Sequence, residues 1–179
     1  VCMVSVGGGV AYGNMGYSHH AIQDYSLIRS LPNMVIYSPC DPIETSLCMD
    51  HILKRKGPSY LRLHKSGEPD ITHSLDPIEP GLPRLIFGKN NSRIGIITTG
   101  FPAQIIIEKI KPKKDISLYT IPAWGMKYKE NIVSWASKFE KIITIEDHII
   151  DGGFGSWILE SLSNTKEISK VNLRGIKTD

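Results

Sequence analysis

An α/β fold is what this sequence of 179 residues predicts, and three observations lead to it. Short apolar or β-branched runs alternate with segments that carry apolar residues at helical spacing, which favours parallel strands joined by crossover helices. The alternation stops over residues 66–83, where prolines and glycines interrupt a polar stretch. The chain also opens directly on an apolar run. We therefore expect an incomplete parallel sheet over 1–65, a linker over 66–83, and a mostly parallel, doubly wound sheet with helices on both faces over 84–179.

The first unit begins with the apolar run 1–6, which predicts a buried strand. Because an interior strand seldom opens a domain, we expect the 179 residues to be the C-terminal part of a longer polypeptide. The clearest helix start is Asp41, an N-cap residue followed by Pro42 at N1 and Glu44 at N3. The other elements expected here are a glycine-rich loop, a helix over 21–31, a strand over 34–37, the Asp41 helix to about residue 56, and a strand over 59–63.

The second unit repeats the alternation after the linker. Its expected strands span 85–88, 93–98, 116–121, 141–145 and 171–173, and its expected helices span 102–110, 129–139 and 152–162. Trp124, Trp135 and Trp157 all fall in this unit, where packing in a core or an interface accounts for them.

Composition excludes several classes of protein. The net charge of +3 is scattered, and the basic run 111–114 lacks aromatic interleaving, so we expect a solvated turn there and no nucleic-acid partner. No apolar run approaches the ~18 residues that span a bilayer, so no membrane association is expected. The three cysteines show no paired spacing, which favours a reducing cytoplasm over a disulfide framework.

Two adjacent histidines, His19 and His20, stand on a glycine-bordered turn just before a helix pattern. An imidazole at such a junction can face a ligand and exchange protons near neutral pH, or it can satisfy a local backbone partner. The two rings cannot both point the same way, and Ser18 or a neighbour is expected to cap the helix. No third ligand at fixed spacing supports a metal site.

Two glycine segments and one strand end are further candidates. Residues 7–9 match neither a dinucleotide fingerprint nor a P-loop, so a flexible turn is expected. Residues 152–156 open a helix, where either anion binding or tight packing is compatible with the glycines. Arg62 and Lys65 follow a strand end that suits a phosphate or carboxylate, although Lys65 could equally be an exposed linker charge. His51, His64 and His73 are expected at the surface.

Several motifs occur in an order that resembles one known family. They are Gly16-Tyr17-Ser18-His19-His20, Asp24, Leu31-Pro32-Asn33-Met34, Pro39-Cys40-Asp41-Pro42-Ile43-Glu44, Gly57-Pro58-Ser59, and Ile145-Glu146-Asp147-His148 with Gly152-Gly153-Phe154-Gly155-Ser156. Together they resemble the C-terminal half of transketolase-type enzymes. Residues 1 to about 65 resemble the end of the pyrimidine-binding domain, and residues from about 84 resemble the transketolase C-terminal domain. The last motif is similar to 1-deoxyxylulose-5-phosphate synthase, split bacterial transketolases and the beta subunit of 2-oxo acid dehydrogenases.

The resemblance implies transfer or condensation of a two-carbon ketol or acyl unit with thiamine diphosphate and Mg²⁺. It implies that His19 contacts the donor's oxygens and transfers protons, that His20 supports it, and that Lys65 binds a substrate phosphate in place of the family's usual arginine. The family's second phosphate-binding histidine and its sugar-reading aspartate are replaced here by Gly7 and Met15, which leaves a pentose-phosphate substrate open.

The resemblance also places the cofactor and metal contacts upstream of Val1, so this chain alone is expected neither to bind the cofactor tightly nor to turn over a sugar or 2-oxo acid. It implies a homodimer or a heterotetramer of split subunits. The alternative is a noncatalytic dimerisation or regulatory scaffold.

Overall fold

The computed structural model describes residues 1–90, 92–110 and 115–177 and contains two sheets, which confirms the α/β fold class. The first sheet has the strand order β1-β3-β2-β7. Strands β1 (Cys2–Val6), β3 (Ser59–Leu63) and β2 (Val35–Tyr37) are parallel, and β7 (Ala123–Trp124) runs antiparallel beside β2. Strand β7 comes from the second half of the chain and was not predicted, because two residues carry no periodic signal.

Strand β1 exists as predicted, but it is an exposed edge strand and not a buried one. Among the described residues it pairs with β3 on one side alone. Its side chains are consequently accessible on both faces, and Val4 and Val6 are 58% and 61% exposed. An apolar run identifies a strand but does not count the neighbours that cover it.

Helix α1 (Asp24–Ile28) is shorter than the predicted helix over 21–31. The residues before it are held in another way, because the backbone N–H and C=O of Ala21 both bond to Gly9. A 3-10 turn over Tyr17–His19 precedes that bridge. The same bridge fixes residues 7–9, which are buried and not the flexible turn that was predicted.

Helix α2 (Pro42–Lys54) begins where the sequence predicts. The Asp41 Oδ1 atom accepts the N–H of Glu44 at 2.7 Å, as an N-cap should. Glu44 does not complete the reciprocal bond to Asp41, since its Oε2 atom accepts the N–H of Cys40 at 2.9 Å. Its Oε1 atom meets the Thr120 hydroxyl at 2.5 Å, so the helix start is joined to the second sheet.

The second sheet has the order β4-β6-β5-β8-β9, in which all but β4 are parallel. Its strands are β4 (Arg84–Phe87), β5 (Ile94–Thr98), β6 (Ile116–Thr120), β8 (Lys141–Ile149) and β9 (Val171–Ile176). Its helices are α3 (Pro102–Lys109), α4 (Glu130–Ala136) and α5 (Phe154–Ser161), with a 3-10 turn at Lys166–Lys170. Strands β8 and β9 run further than predicted, with a register shift between Ile145 and Ile149.

Alternating side chains place helices on both faces of the second sheet, as predicted. Ile96 and Leu118 pack in one buried cluster with Ala103 of α3. Their neighbours Ile97 and Tyr119 point the other way, into a cluster with α4 and α5. Trp124, Trp135 and Trp157 are buried in that second cluster, which confirms the prediction that they serve packing.

The segment 66–83 has no helix or strand, yet it is attached along its length. The Asp41 Oδ2 atom accepts the N–H groups of Ile71 and Thr72 at 2.9 and 2.6 Å. The Gln104 side chain donates to the carbonyl oxygens of Cys40 and Pro69 at 2.9 and 2.8 Å. These bonds attach the segment to both sheets.

Three further sequence predictions concern local features. Cys2, Cys40 and Cys48 are all free thiols. In the described part of the chain, no helix combines the length and apolarity that crossing a membrane requires. The basic run 111–114 lies outside the described residues.

Candidate functional site

The two adjacent histidines lie at the surface and have different partners. His19, at the end of the 3-10 turn, has its Nδ1 atom 3.0 Å from the Ser18 hydroxyl. The His20 Nε2 atom is 3.4 Å from the Gly13 carbonyl oxygen. Ser18 therefore contacts a histidine and does not cap α1, which begins without a side-chain cap. His19 is the more exposed of the two rings.

The structure brings His19 and Lys65 to the same aromatic ring. The rings of Tyr12 and His19 meet edge to face with centroids 6.4 Å apart. The Lys65 ammonium lies 5.1 Å from the centroid of the Tyr12 ring, a cation–π distance. A cavity of about 320 Å³ lies here, lined by Lys65 and residues 11–15. Sequence reasoning missed Tyr12, because no spacing rule connects residues 12, 19 and 65.

Tyr12 also explains the glycine at position 7. Gly7 has a φ of +89°, and a Cβ atom there would lie 2.2 Å from the Tyr12 ring. A histidine at this position, as the resemblance leads one to look for, is incompatible with the ring where it stands. Met15 is 58% exposed and borders the same cavity as Lys65.

Arg62, the other predicted anion-binding cation, is buried and bound within the protein. Its guanidinium donates to Asp24 at 2.7 Å, to Asp147 at 2.8 Å and to the Tyr25 hydroxyl at 2.9 Å. Its Nη2 atom also donates to the Ala21 carbonyl at 2.8 Å. Burial opposes its charge, but the neighbouring carboxylates outweigh that cost and raise the pKa of Arg62. The carboxylates that the strand end suits are thus the protein's own.

The glycine-rich start of α5 likewise binds an internal anion. The Glu146 carboxylate accepts the N–H of Phe154 at 2.6 Å and that of Gly155 at 2.9 Å. A Cβ atom on Gly155 would lie 3.0 Å from Glu146 and 2.9 Å from neighbouring side chains, so the glycine permits close packing. Of the two interpretations of this motif, tight packing is the one observed. Burial raises the pKa of Glu146 to about 8, although both N–H bonds act to lower it.

His148 completes this buried segment. Its ring stacks on Tyr25 with centroids 5.0 Å apart, and its Nδ1 atom is 2.7 Å from the Ile149 carbonyl oxygen. The N–H of Ser26 points at its Nε2 atom at 3.4 Å. This pair of contacts suits a neutral ring with the proton on Nδ1, and burial lowers the pKa of His148 accordingly.

The remaining histidines lie apart from the His19 turn. His73 is exposed, as predicted. His51 and His64 are half-buried: His51 bonds to the Tyr37 hydroxyl at 2.6 Å, and His64 stacks on Phe101 with centroids 3.5 Å apart. Across residues 1–90, 92–110 and 115–177, no group of three or more His, Cys, Asp or Glu side chains could hold a metal ion.

Comparison with known proteins decides the family. The sequence profile of the family described as "Transketolase, pyrimidine binding domain" matches residues 1–69. One of the two subunits of the apulose-4-phosphate transketolase of Phocaeicola vulgatus is 29% identical over 175 residues, which cover 91% of this chain and 53% of that protein. The 1-deoxy-D-xylulose-5-phosphate synthase of Clostridium perfringens is 31% identical over 169 residues, which cover 89% of this chain and 26% of that enzyme. The chain belongs to the transketolase-like family of thiamine-diphosphate enzymes.

A solved structure agrees with this assignment over almost the whole of the transketolase-like chain. It is a split-gene transketolase described as an inactive beta4 tetramer, and it superposes with a TM-score of 0.77 at 27% identity. The match covers 99% of this chain and 57% of the solved one. The chain therefore spans about half the length of the split-gene relatives it matches.

Proposed function

We propose that this chain is the C-terminal portion of a transketolase-like enzyme that transfers or condenses a two-carbon ketol or acyl unit. One observation carries the proposal: an exposed imidazole, His19, and a cation, Lys65, approach the same ring, Tyr12, beside a surface cavity. The scaffold alternative is not adopted, because the named relatives are enzymes or enzyme subunits.

His19 is the catalytic residue in this proposal. Its Nδ1 atom lies beside the Ser18 hydroxyl, so the Nε2 atom is the one that can meet a substrate oxygen. When Ser18 donates to Nδ1, the Nε2 atom carries the proton and can donate it to a carbonyl oxygen. When the hydrogen bond reverses, Nε2 can accept a hydroxyl proton. Ser18 thus acts as a positioning residue that allows His19 both roles.

Lys65 and His20 are assigned to substrate binding. An ammonium suits a phosphate as a point charge, without the bidentate geometry of arginine. The Tyr12 ring beneath it supports the charge and limits how far the ammonium moves. His20, held near the Gly13 carbonyl oxygen, fixes the loop that borders the cavity.

Thiamine diphosphate, when bound, supplies the carbanion that attacks the donor's carbonyl carbon. The groups at the turn fit the oxygen-rich substrate next to it, since they are imidazoles and an ammonium. They do not fit Mg²⁺, which prefers carboxylate oxygens, and the nearby Asp24 and Asp147 are paired with Arg62. We therefore assign the diphosphate and Mg²⁺ contacts to the part of the enzyme outside this chain.

The assembly and domain limits are part of the same proposal. We assign 1–65 to the pyrimidine-binding domain, 66–83 to the linker and 84–179 to the transketolase C-terminal domain, in a cytoplasmic homodimer or split-subunit heterotetramer. The split-gene relative described as an inactive tetramer supports the expectation that this chain is inactive without its complement.

The test is turnover by the complete enzyme carrying single substitutions. We expect His19→Ala to lower kcat by roughly 10²–10⁴-fold, the range typical of acid–base groups. His73→Ala is the matched control, since His73 is an exposed histidine in the 66–83 segment. A loss within about twofold of the parent, as expected for the control, would remove His19 from catalysis.

Lys65→Met is the companion variant for substrate binding. It should raise KM for phosphorylated substrates and leave KM for unphosphorylated analogues unchanged, because it removes a charge that meets only the phosphate. Equal effects on both substrate classes would mean that Lys65 shapes the loop and does not bind phosphate.

A further inference from the structure

A second cationic cavity lies at the opposite end of the first sheet from Lys65. Residues that line it, Asn33 and Pro58, precede β2 and β3, whereas Lys65 follows β3. Because β1, β2 and β3 are parallel, these positions are opposite edges of one sheet. The cavity has a volume of about 570 Å³, which is within the usual range for small-molecule sites.

The lining carries a concentration of positive charge. It contains Arg55, Lys56 and Lys127, with the half-buried His51 beside them. Among the described residues that line it, none is an aspartate or a glutamate. A concave surface with one sign of charge concentrates ions of the other sign.

The cations are held in place by neutral acceptors, so their charge is not cancelled. Arg55 donates to the carbonyl oxygens of Pro58 at 2.9 Å and Asn33 at 2.7 Å. Lys127 donates to the Asn33 side-chain oxygen. The two carbonyl bonds use two of the five guanidinium N–H groups, which leaves Arg55 able to donate further. Fixing a charge before the ligand arrives lowers the entropy cost of binding.

The cavity is built from both halves of the chain. His51, Arg55 and Lys56 come from the end of α2 and the turn after it, while Lys127 and Tyr128 follow β7. Burial and the charges of Arg55 and Lys54 lower the pKa of His51, so an anion bound here would favour its protonated form. The carbonyl end of α2 also favours cations, which by itself would be a purely structural reason for Arg55.

We infer that this cavity binds a small phosphate-bearing anion, at a site separate from the candidate catalytic one. Arg55, Lys56 and Lys127 contact the phosphate oxygens, and Tyr128 forms one wall. Such a ligand would join α2 to the segment after β7 and so fasten the two sheets together.

The test is calorimetric titration of the complete protein with pyrophosphate, at constant ionic strength set with chloride. We expect saturable binding that persists in Lys65→Gln, which removes the cation of the catalytic site. Lys56→Gln and Lys127→Gln should each weaken it about tenfold, the loss expected for one charge-assisted hydrogen bond. Lys141→Gln, the same change at an exposed lysine that begins β8, is the control and should have no effect.

Lys56 and Lys127 are exposed, so these variants are expected to fold, and Arg55→Gln is used as well if it folds. A ring-proton titration of His51 by NMR should also show its pKa rising when pyrophosphate is added. The inference is overturned if the parent shows no saturable binding, if Lys65→Gln abolishes it, or if Lys56→Gln and Lys127→Gln bind as tightly as Lys141→Gln.

Discussion

The His19 turn and the Glu146–His148 segment both carry a histidine from the motifs that indicated the family, but their surroundings are opposite. His19 is exposed and touches Ser18 and the edge of Tyr12. His148 is fully buried, stacked on Tyr25, with partners at both ring nitrogens. A histidine with both nitrogens bonded inside the protein has no atom left for a substrate. The contrast shows that one motif supplies reactive atoms and the other holds the framework.

Arg62 is the centre of that framework. It joins Asp24 at the start of α1 to Asp147 of β8, so a single side chain links the two halves of the chain. Lys65, three residues later, leaves the strand and lies at the surface. Two cations close in sequence therefore have opposite uses, and burial distinguishes them.

The largest predicted effect is on stability when Arg62 is removed. Arg62→Met should lower the free energy of unfolding by about 3–5 kcal/mol, because it leaves two carboxylates buried without their cation. Urea denaturation measures this difference. Replacing Asp24 and Asp147 by asparagine in the same variant should recover part of the loss.

Arg93 provides the control for this experiment. Its pair with Glu140 is exposed, at 66% and 65% of the two side chains, so Arg93→Met should leave stability nearly unchanged. If Arg62→Met behaved like Arg93→Met, the buried cluster would not be the link between the sheets.

A smaller effect is predicted for the pH dependence of stability. The folded pKa of Glu146, about 8, exceeds its ordinary value of 4.5, so between these values the folded state holds a proton that the unfolded state has lost. This contribution to stability is present at low pH and is lost as the pH rises through 8. Glu146→Gln should remove up to about 1.4 kcal/mol per pH unit of that decline.

The measurement is best made between pH 6.5 and 8, where His148, with its lowered pKa, is neutral in both states. Glu140→Gln is the control, since the pKa of that exposed carboxyl is lowered and it titrates well below this range. A parent protein whose stability does not fall across the range would show that the helix N–H groups outweigh burial at Glu146.

The smallest stability effect is expected at His19. His19→Ala should change the free energy of unfolding by less than about 0.5 kcal/mol, as substitutions at exposed sites usually do. His148→Ala, which removes a buried and stacked ring, should cost at least about 2 kcal/mol. Chemical denaturation of the two variants compares them directly, and equal losses would show that the His19 turn is also structural.

Much of the fold could be predicted from the sequence because it depends on local patterns. The start of α2 at Asp41 and the alternation of β5 and β6 follow from capping and periodicity, and both are observed. Helix α1 was predicted too long, since the bonds between Ala21 and Gly9 join residues twelve positions apart and leave no local trace. The burial of β1 was wrong for a related reason: a strand's neighbours are not written in the strand itself.

The candidate site shows the same limit. His19, His20 and Lys65 could be singled out from their positions beside a turn and a strand end, and their roles remain proposals. Tyr12 could not, because its importance depends on three loops meeting. Arg62 and Lys65 were also indistinguishable by residue type and position, although Arg62 is 3% exposed and Lys65 is at the surface.

Strand β7 has a consequence for the order in which the molecule can form. It is the fourth strand of the first sheet, yet it lies at Ala123–Trp124, and Trp124 packs against Tyr25 and Phe154. As the chain leaves the ribosome, the first sheet cannot be completed when its own strands have emerged. It must wait until residue 124 is free, so the two sheets finish folding together and neither serves as a finished template for the other.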